Sequence, residues 1–246
     1  MEISLKEYER IDDLEFKGLK IIQNVNNFCF GIDAVLLSDF AKNIKKGSKV
    51  VDLGTGTGII PILLCGKTNL SKIYGLEIQS DMCDMARRSI SLNDLNDRFE
   101  IINDDIKNAD KIFEKNSIDV VVTNPPYKKL NSGIINDSDL KTIARHEVLC
   151  NIEDIIKQSF NILKNNGELY MIHRPERLVD IIYNLRKYKL EPKVIRFVQP
   201  YVDKEPTMVL IKAVKNGNPF LRLEKPLIVY NDDRNYTDEI FEIYNK

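Results

Sequence analysis

From Lys49 onward, short apolar runs alternate with segments whose apolar residues recur at helical spacing. Lys49–Leu53, Lys72–Ile78, Phe99–Ile102, Ile118–Thr123, Glu168–Ile172, Val194–Val198 and Thr207–Val214 read as strands. Between them, Ile59–Cys65 reads as a helix. So does the stretch after a Ser80-Asp81 cap, where Met82, Met85, Ala86, Ile90 and Leu92 keep the period. Ile152–Leu163 is amphipathic, with a stop signal at Asn165-Asn166-Gly167, and Glu176–Tyr188 reads as a further helix. Strands and helices in alternation call for a mostly parallel sheet covered on both faces. With right-handed crossovers, that means an α/β protein built on a Rossmann-like, doubly wound, seven-stranded sheet. Residues 1–48 precede this unit and read as an N-terminal extension, with extended, strand-like segments near Lys20–Gln23 and a helix over Asp33–Ala41. The sheet domain is expected over 49–215, with 216–246 as a C-terminal tail packing on it.

Composition adds little except exclusions. Of 246 residues, 43% are hydrophobic and 30% charged, an ordinary globular balance, and the net charge of -1 gives no global signal for nucleic acid. The first twenty residues lack the apolar core of a secretory signal, and no apolar run approaches the roughly 20 residues needed to span a bilayer. Cys29, Cys65, Cys83 and Cys150 form no CxxC pair, so reduced thiols in a cytoplasmic protein are expected, with no metal site.

Two segments carry chemistry. In the first, Val50-Val51-Asp52-Leu53 runs into Gly54-Thr55-Gly56-Thr57-Gly58, a glycine loop between the first sheet strand and its helix. Glycines there let the backbone turn without Cβ strain and approach a ligand closely. Their spacing is GxGxG, with Ile59 where a dinucleotide fingerprint wants its third glycine. Asp52 would also repel a pyrophosphate, so NAD or FAD is disfavoured. In the second segment, Ile118–Thr123 ends in Asn124-Pro125-Pro126-Tyr127. Two prolines fix φ and remove two donors, and Pro125 biases Asn124 toward an extended conformation. Such a turn is common by itself. Beside a ligand loop it offers an amide, bare carbonyls and a phenol ring to a flat NH2-bearing group.

The loop resembles motif I of S-adenosylmethionine-dependent class I methyltransferases. Under that resemblance Asp52, Gly54, Gly56 and Gly58 line the cofactor, and Glu77 takes the ribose hydroxyls. Asp105, followed by Ile106, takes the adenine amino group. The three acids fall at three successive strand ends, and the segment 51–124 carries twelve Asp and Glu against eight Lys and Arg, a cradle suited to a sulfonium cation. Asn124–Tyr127 is similar to motif IV of amino-group methyltransferases. That motif implies a catalytic set of Asn124, Pro125 and Tyr127, with Asn124 also at the cofactor and no general base required.

Further stretches occur around these motifs: Lys17–Gln23, Phe28–Leu37, Ala144–Glu147, His173–Arg177 and Pro226–Tyr230. Together they resemble the bacterial tRNA1(Val) (adenine-37-N6)-methyltransferase family over nearly the whole chain. The resemblance implies methylation of N6 of an anticodon-loop adenosine and a tRNA anticodon stem-loop as partner; a monomer or weak dimer is expected. Residues 173–215 carry ten Lys and Arg against five acids, which suits phosphate contacts. Lys128, Arg145, His146, Arg174 and Arg177 are the expected RNA-binding residues. Two rivals keep the chemistry and change the acceptor: a glutamine N5-methyltransferase of peptide release factors, and a guanine N2-methyltransferase of ribosomal RNA. The first resembles enzymes with a longer helical N-terminal substrate domain than the extension here, and the second usually ends motif IV in Phe.

Overall fold

Val50 and Val51 are both fully buried although they point to opposite faces of one strand, so both faces of the sheet are covered. A computed structural model of the chain describes residues 4–26, 30–125 and 151–244. It begins with an antiparallel hairpin, β1 (Glu9–Asp13) and β2 (Lys20–Asn24), followed by α1 (Ile32–Phe40). The alternating part runs through β3 (Lys49–Leu53), α2 (Ile59–Lys67), β4 (Lys72–Glu77), α3 (Ser80–Leu92) and β5 (Phe99–Asn103). A 3-10 turn, Ile106–Asn108, leads into the short α4 (Ala109–Ile112) and then β6 (Ile118–Thr123). After the undescribed 126–150 come α5 (Ile152–Ile162), β7 (Leu163–His173), α6 (Leu178–Lys187), β8 (Leu190–Gln199) and β9 (Met208–Lys215). The chain closes with β10 (Arg222–Leu223), β11 (Leu227–Ile228) and α7 (Asp238–Ile243).

The seven long strands lie in the order β5-β4-β3-β6-β7-β9-β8, with β10 and β11 both paired to β8. β3 to β7 are mutually parallel, and β9 runs antiparallel to β7 and β8. One apolar layer joins α1, α2 and α7 to Val50, Val120, Val122, Tyr170 and Leu210. The other joins α5 and α6 to Val51, Val121, Leu169, Met171 and Val209. This two-sided burial explains why the strands read as continuous apolar runs rather than alternating ones. The order reverses beside β3, where the next parallel strand, β6, is placed on its other side. Ligands of open α/β sheets bind at such a point, beyond the carboxyl ends of the strands.

Three expectations shift in detail. The Asn165-Asn166-Gly167 signal does not cap a free helix end. Leu163 pairs with Ile118 directly after α5, and 164–167 bulge out before pairing resumes at Glu168, with Asn166 at φ +61°. The buried Lys215 ammonium anchors that junction by donating to the carbonyls of Phe160 and Leu163. The helix read from Glu176 starts as a 3-10 turn at Pro175 and becomes regular at Leu178. The extended segments expected near Lys20–Gln23 form a hairpin whose first strand, β1, lies farther upstream at Glu9–Asp13. Arg88 on α3 holds it with a bidentate pair to Glu9 at 2.6 and 2.7 Å.

Candidate active site

Three acidic side chains stand at the carboxyl ends of β3, β4 and β5, which are neighbours in the sheet. Asp52, the penultimate residue of β3, is fully buried, and neither carboxylate oxygen has a hydrogen-bond partner; the same holds for the Thr55 hydroxyl oxygen. Burial pushes the Asp52 carboxyl up to about 7, and the nearby Glu77 charge pushes the same way. The Thr55 hydroxyl beside it opposes the shift without completing a hydrogen bond of normal geometry. Such a group gains from a cation placed against it.

The loop that follows is held at both ends. The Gly54 and Thr55 amides donate to the Leu76 carbonyl at 2.9 and 3.1 Å, and Gly58 donates to Thr55 at 3.0 Å. Gly58 has φ +84°, and a Cβ there would come within 3.0 Å of the Phe99 ring, so two separate constraints require glycine. Gly56 differs. Its φ is +56°, yet a Cβ would meet nothing within 4 Å, so the loop turns an open face outward at this point. Glu77, only 5% exposed, closes the cradle: Oε2 accepts from the Gly56 amide at 2.9 Å and Oε1 from the Gln79 amide at 2.9 Å. Oε1 also accepts from Gln79 Nε2 at 3.4 Å, while Oε2, with the Gly56 amide as its donor, keeps a second lone pair for a hydroxyl.

Asp105 begins the turn after β5, where its Oδ1 accepts from the Lys107 amide at 2.9 Å. Ile106 packs toward the glycine loop, its Cδ1 3.6 Å from where a Gly54 Cβ would stand. Sequence reasoning did not find the residue that fixes this turn. Gln158 of α5, itself buried, donates to the Lys107 carbonyl at 2.7 Å and accepts from the Asp110 amide at 3.1 Å.

β6 brings the other half of the site to the same edge. The buried Thr123 hydroxyl donates to the Leu53 carbonyl at 2.8 Å, tying the end of β6 to the start of the glycine loop. Asn124 follows, half-buried, then the buried Pro125. The Asn124 amide nitrogen donates to Asp33 Oδ2 at 2.9 Å, across 91 positions of sequence. Pro126, Tyr127, Lys128, Arg145 and His146 lie outside the described residues. Arg174 and Arg177 sit just past β7 on the same edge. Arg174 donates to the Thr207 carbonyl at 3.1 Å, and Arg177 pairs with Asp180 at 2.9 Å. His173 is buried and accepts from the Arg174 amide through Nδ1; burial holds its imidazole down at about 4, so it stays neutral at physiological pH.

Cys65 and Cys83 are free and buried, which raises both thiols to about 11, out of nucleophilic range. Among the described residues no helix is long and apolar enough to cross a membrane, and no three metal-ligating side chains cluster.

The sheet order and this edge define a Rossmann-like class I methyltransferase. The chain belongs to the methyltransferase small domain family, whose sequence profile matches residues 32–184, and is an S-adenosylmethionine-dependent methyltransferase. It is similar to a tRNA1(Val) (adenine(37)-N6)-methyltransferase of Porphyromonas gingivalis, 29% identical over 204 residues that cover 81% of this chain and 79% of the relative. A protein of the same name from Photobacterium profundum is 23% identical over 93% of this chain and 94% of its own. A release factor glutamine methyltransferase of Lactococcus lactis is 31% identical over a shorter stretch, 53% of this chain and 49% of the relative. Among solved structures, an Agrobacterium tumefaciens protein described as a predicted O-methyltransferase superposes with a TM-score of 0.71 at 21% identity, over 87% of this chain and 95% of that one. Pyrococcus horikoshii TYW2, solved with MeSAdo, superposes with a TM-score of 0.59 at 16% identity, over 86% and 73%. S-adenosylmethionine is the cofactor. The partnerless carboxylate of Asp52, the open face of Gly56 and the second lone pair of Glu77 Oε2 suit its cationic, ribose-bearing body.

Proposed function

We propose that this enzyme methylates the exocyclic N6 of an adenine in tRNA, the anticodon-loop adenosine 37 of tRNA1(Val) by analogy with its relatives. One observation carries the reading: an amide side chain, Asn124, fixed by a buried carboxylate at the strand end next to the glycine loop. An exocyclic amine conjugated to a ring is a weak nucleophile. It needs its hydrogens held and its lone pair aimed more than it needs a base.

Asp52 and the loop Gly54, Gly56 and Gly58 would hold the cofactor's methionine end. Glu77 would hold the ribose, and Asp105 with Ile106 the adenine. Bound there, S-adenosylmethionine supplies an electrophilic methyl group whose sulfide leaves without charge. The Asn124 oxygen and the Pro125 carbonyl accept the two hydrogens of the acceptor amine, and Tyr127 stacks on its ring. Once the new N–C bond forms, the amine's extra proton passes to solvent. Lys128, Arg145, His146, Arg174 and Arg177 contact phosphates around the flipped base. The Arg177–Asp180 pair is a surface ion pair, worth about 1 kcal/mol or less, and exchanges readily for a phosphate.

The release-factor reading has its own support in the Lactococcus relative. A glutamine amide is also flat and NH2-bearing, so the same clamp suits it. What favours RNA is the length of chain matched by the tRNA-named relatives together with the basic balance of 173–215. The test is transfer of tritiated methyl from S-adenosylmethionine to bulk tRNA lacking the modification, with release factor as parallel acceptor. Label recovered as N6-methyladenosine is the expected result. Label in the release factor alone would replace the tRNA reading.

A further inference from the structure

The Asn124 amide is held by a residue of α1. Asp33 lies in the first turn of α1 and is only 7% exposed. Its Oδ2 accepts from the Asn124 amide nitrogen at 2.9 Å, and its Oδ1 accepts from the Ala34 backbone amide at 3.0 Å. The helix N-terminus favours a negative charge at this point. Gly31 leaves room for it: a Cβ there would stand 2.9 Å from Asp33 Oδ1.

The approach to α1 is fixed as well. The Phe30 amide donates to the buried Gln23 side-chain oxygen at 2.8 Å, and Gln23 donates in turn to Asp12 at 2.6 Å. Strand β2 is clamped to α3 through Asn93, bonded to both the amide and the carbonyl of Lys20, and through Ser89, which accepts from the Ile22 amide. The position of Asp33 is therefore set by a docked hairpin and not by its own helix alone.

We propose that Asp33 is a positioning residue for methyl transfer, one that fixes which end of the Asn124 amide faces the acceptor. This rests on the reading of Asn124 as the acceptor clamp. Asp33 Oδ2 accepts at this contact, so the amide presents its NH2 to Asp33. The amide oxygen is then turned away from Asp33 toward the acceptor amine. A flipped amide would oppose two NH2 groups and hold nothing. The carboxylate also draws on the amide hydrogen and enriches the oxygen at the other end, which strengthens its grip on the acceptor's hydrogens.

The experiment measures Asp33→Ala, Asn124→Ala and the double variant with tRNA as acceptor. Asp33→Ala is expected to lower kcat about 10- to 100-fold, with cofactor affinity and RNA KM within a few-fold. In the Asn124→Ala background, Asp33→Ala is expected to change kcat no further, because the groups act as one unit. The exchange Asp33→Asn with Asn124→Asp restores a donor–acceptor pair and leaves an oxygen toward the acceptor, so it is expected to exceed Asn124→Asp alone in kcat. An equal loss from Asp33→Ala in both backgrounds, or an exchange no better than Asn124→Asp, overturns the proposal. A second readout needs no substrate: the Asn124 side-chain NH2 signals in protein labelled with 15N-asparagine. Asp33→Ala should move them toward an amide without a charged partner, and unmoved signals overturn the role. If wild-type protein methylates neither tRNA nor release factor, the acceptor reading fails, while the NMR signals still decide the part played by Asp33.

Discussion

The cofactor side and the acceptor side of the sheet edge are built in opposite ways. On the cofactor side, the Gly56–Glu77 bond spans 21 positions and the Asn103–Glu77 bond 26, so the cradle is closed by two successive strand–helix units. On the acceptor side, Thr123 reaches back 70 positions to Leu53, Asn124 reaches 91 to Asp33, and Arg174 reaches forward 33 to Thr207. One side is closed largely within successive strand–helix units, with Gln158 of α5 as a longer tie to the Asp105 turn, and the other is a junction of five chain regions. The contrast separates their failure modes. A substitution in the cradle should act on affinity for the cofactor, whereas one at the junction should act on turnover.

The sharpest test of that contrast is Asn124→Ala. Removing the amide should cost kcat on the order of 10³-fold, by analogy with loss of a single preorganised polar group at a reacting centre. Cofactor affinity measured by calorimetry should stay within a few-fold. A parallel collapse of affinity would mean that the two sides are one site energetically. Glu77→Gln is the converse. It keeps size and one acceptor but loses the charge, and is expected to weaken S-adenosylmethionine binding by about 30-fold, or about 2 kcal/mol, with kcat at saturation little changed. Unaltered affinity would remove Glu77 from the ribose.

The same contrast explains what could be read from the chain alone. The strands, their parallel order, the glycine loop and the three acids announce themselves because each is local: an apolar run, then a turn residue, then a carboxylate at a strand end. Asp33, Gln158 and Gln23 carried no such signal. Asp33 stood inside the segment Phe28–Leu37, but its role depends on which strand end lies opposite α1, a matter of topology rather than spacing. Gln158 looked like one polar residue on an amphipathic helix and turned out to hold the turn after Asp105. The Asn165-Asn166-Gly167 stop was misjudged for a related reason. A cap signal is local, while the pairing of Leu163 with Ile118 that converts it into a bulge is not.

Asp52 offers a test inside the cradle. Its carboxyl rises from 3.8 to about 7 on burial, so the folded protein holds a proton that the unfolded chain releases. Stability from this group is therefore greatest at low pH and falls as pH rises from about 4 to about 7. Binding a cation favours the ionised form, so affinity for S-adenosylmethionine should climb about tenfold between pH 6 and pH 8, tracking the ionised fraction. Asp52→Asn should flatten both profiles, seen in melting temperature without ligand and in calorimetry with it. A wild-type affinity independent of pH over that range would show that the carboxylate does not face the bound cation.

The smallest effect is expected farthest from the chemistry. Charge reversal at Arg174 and Arg177 should raise the KM for tRNA several-fold and flatten its salt dependence by up to one unit of slope per lost phosphate contact, with kcat nearly unchanged. If reversal lowered kcat and left KM untouched, these arginines would belong with Asn124 in positioning the acceptor. The junction would then extend across β7 to the loop that supplies the Thr207 carbonyl.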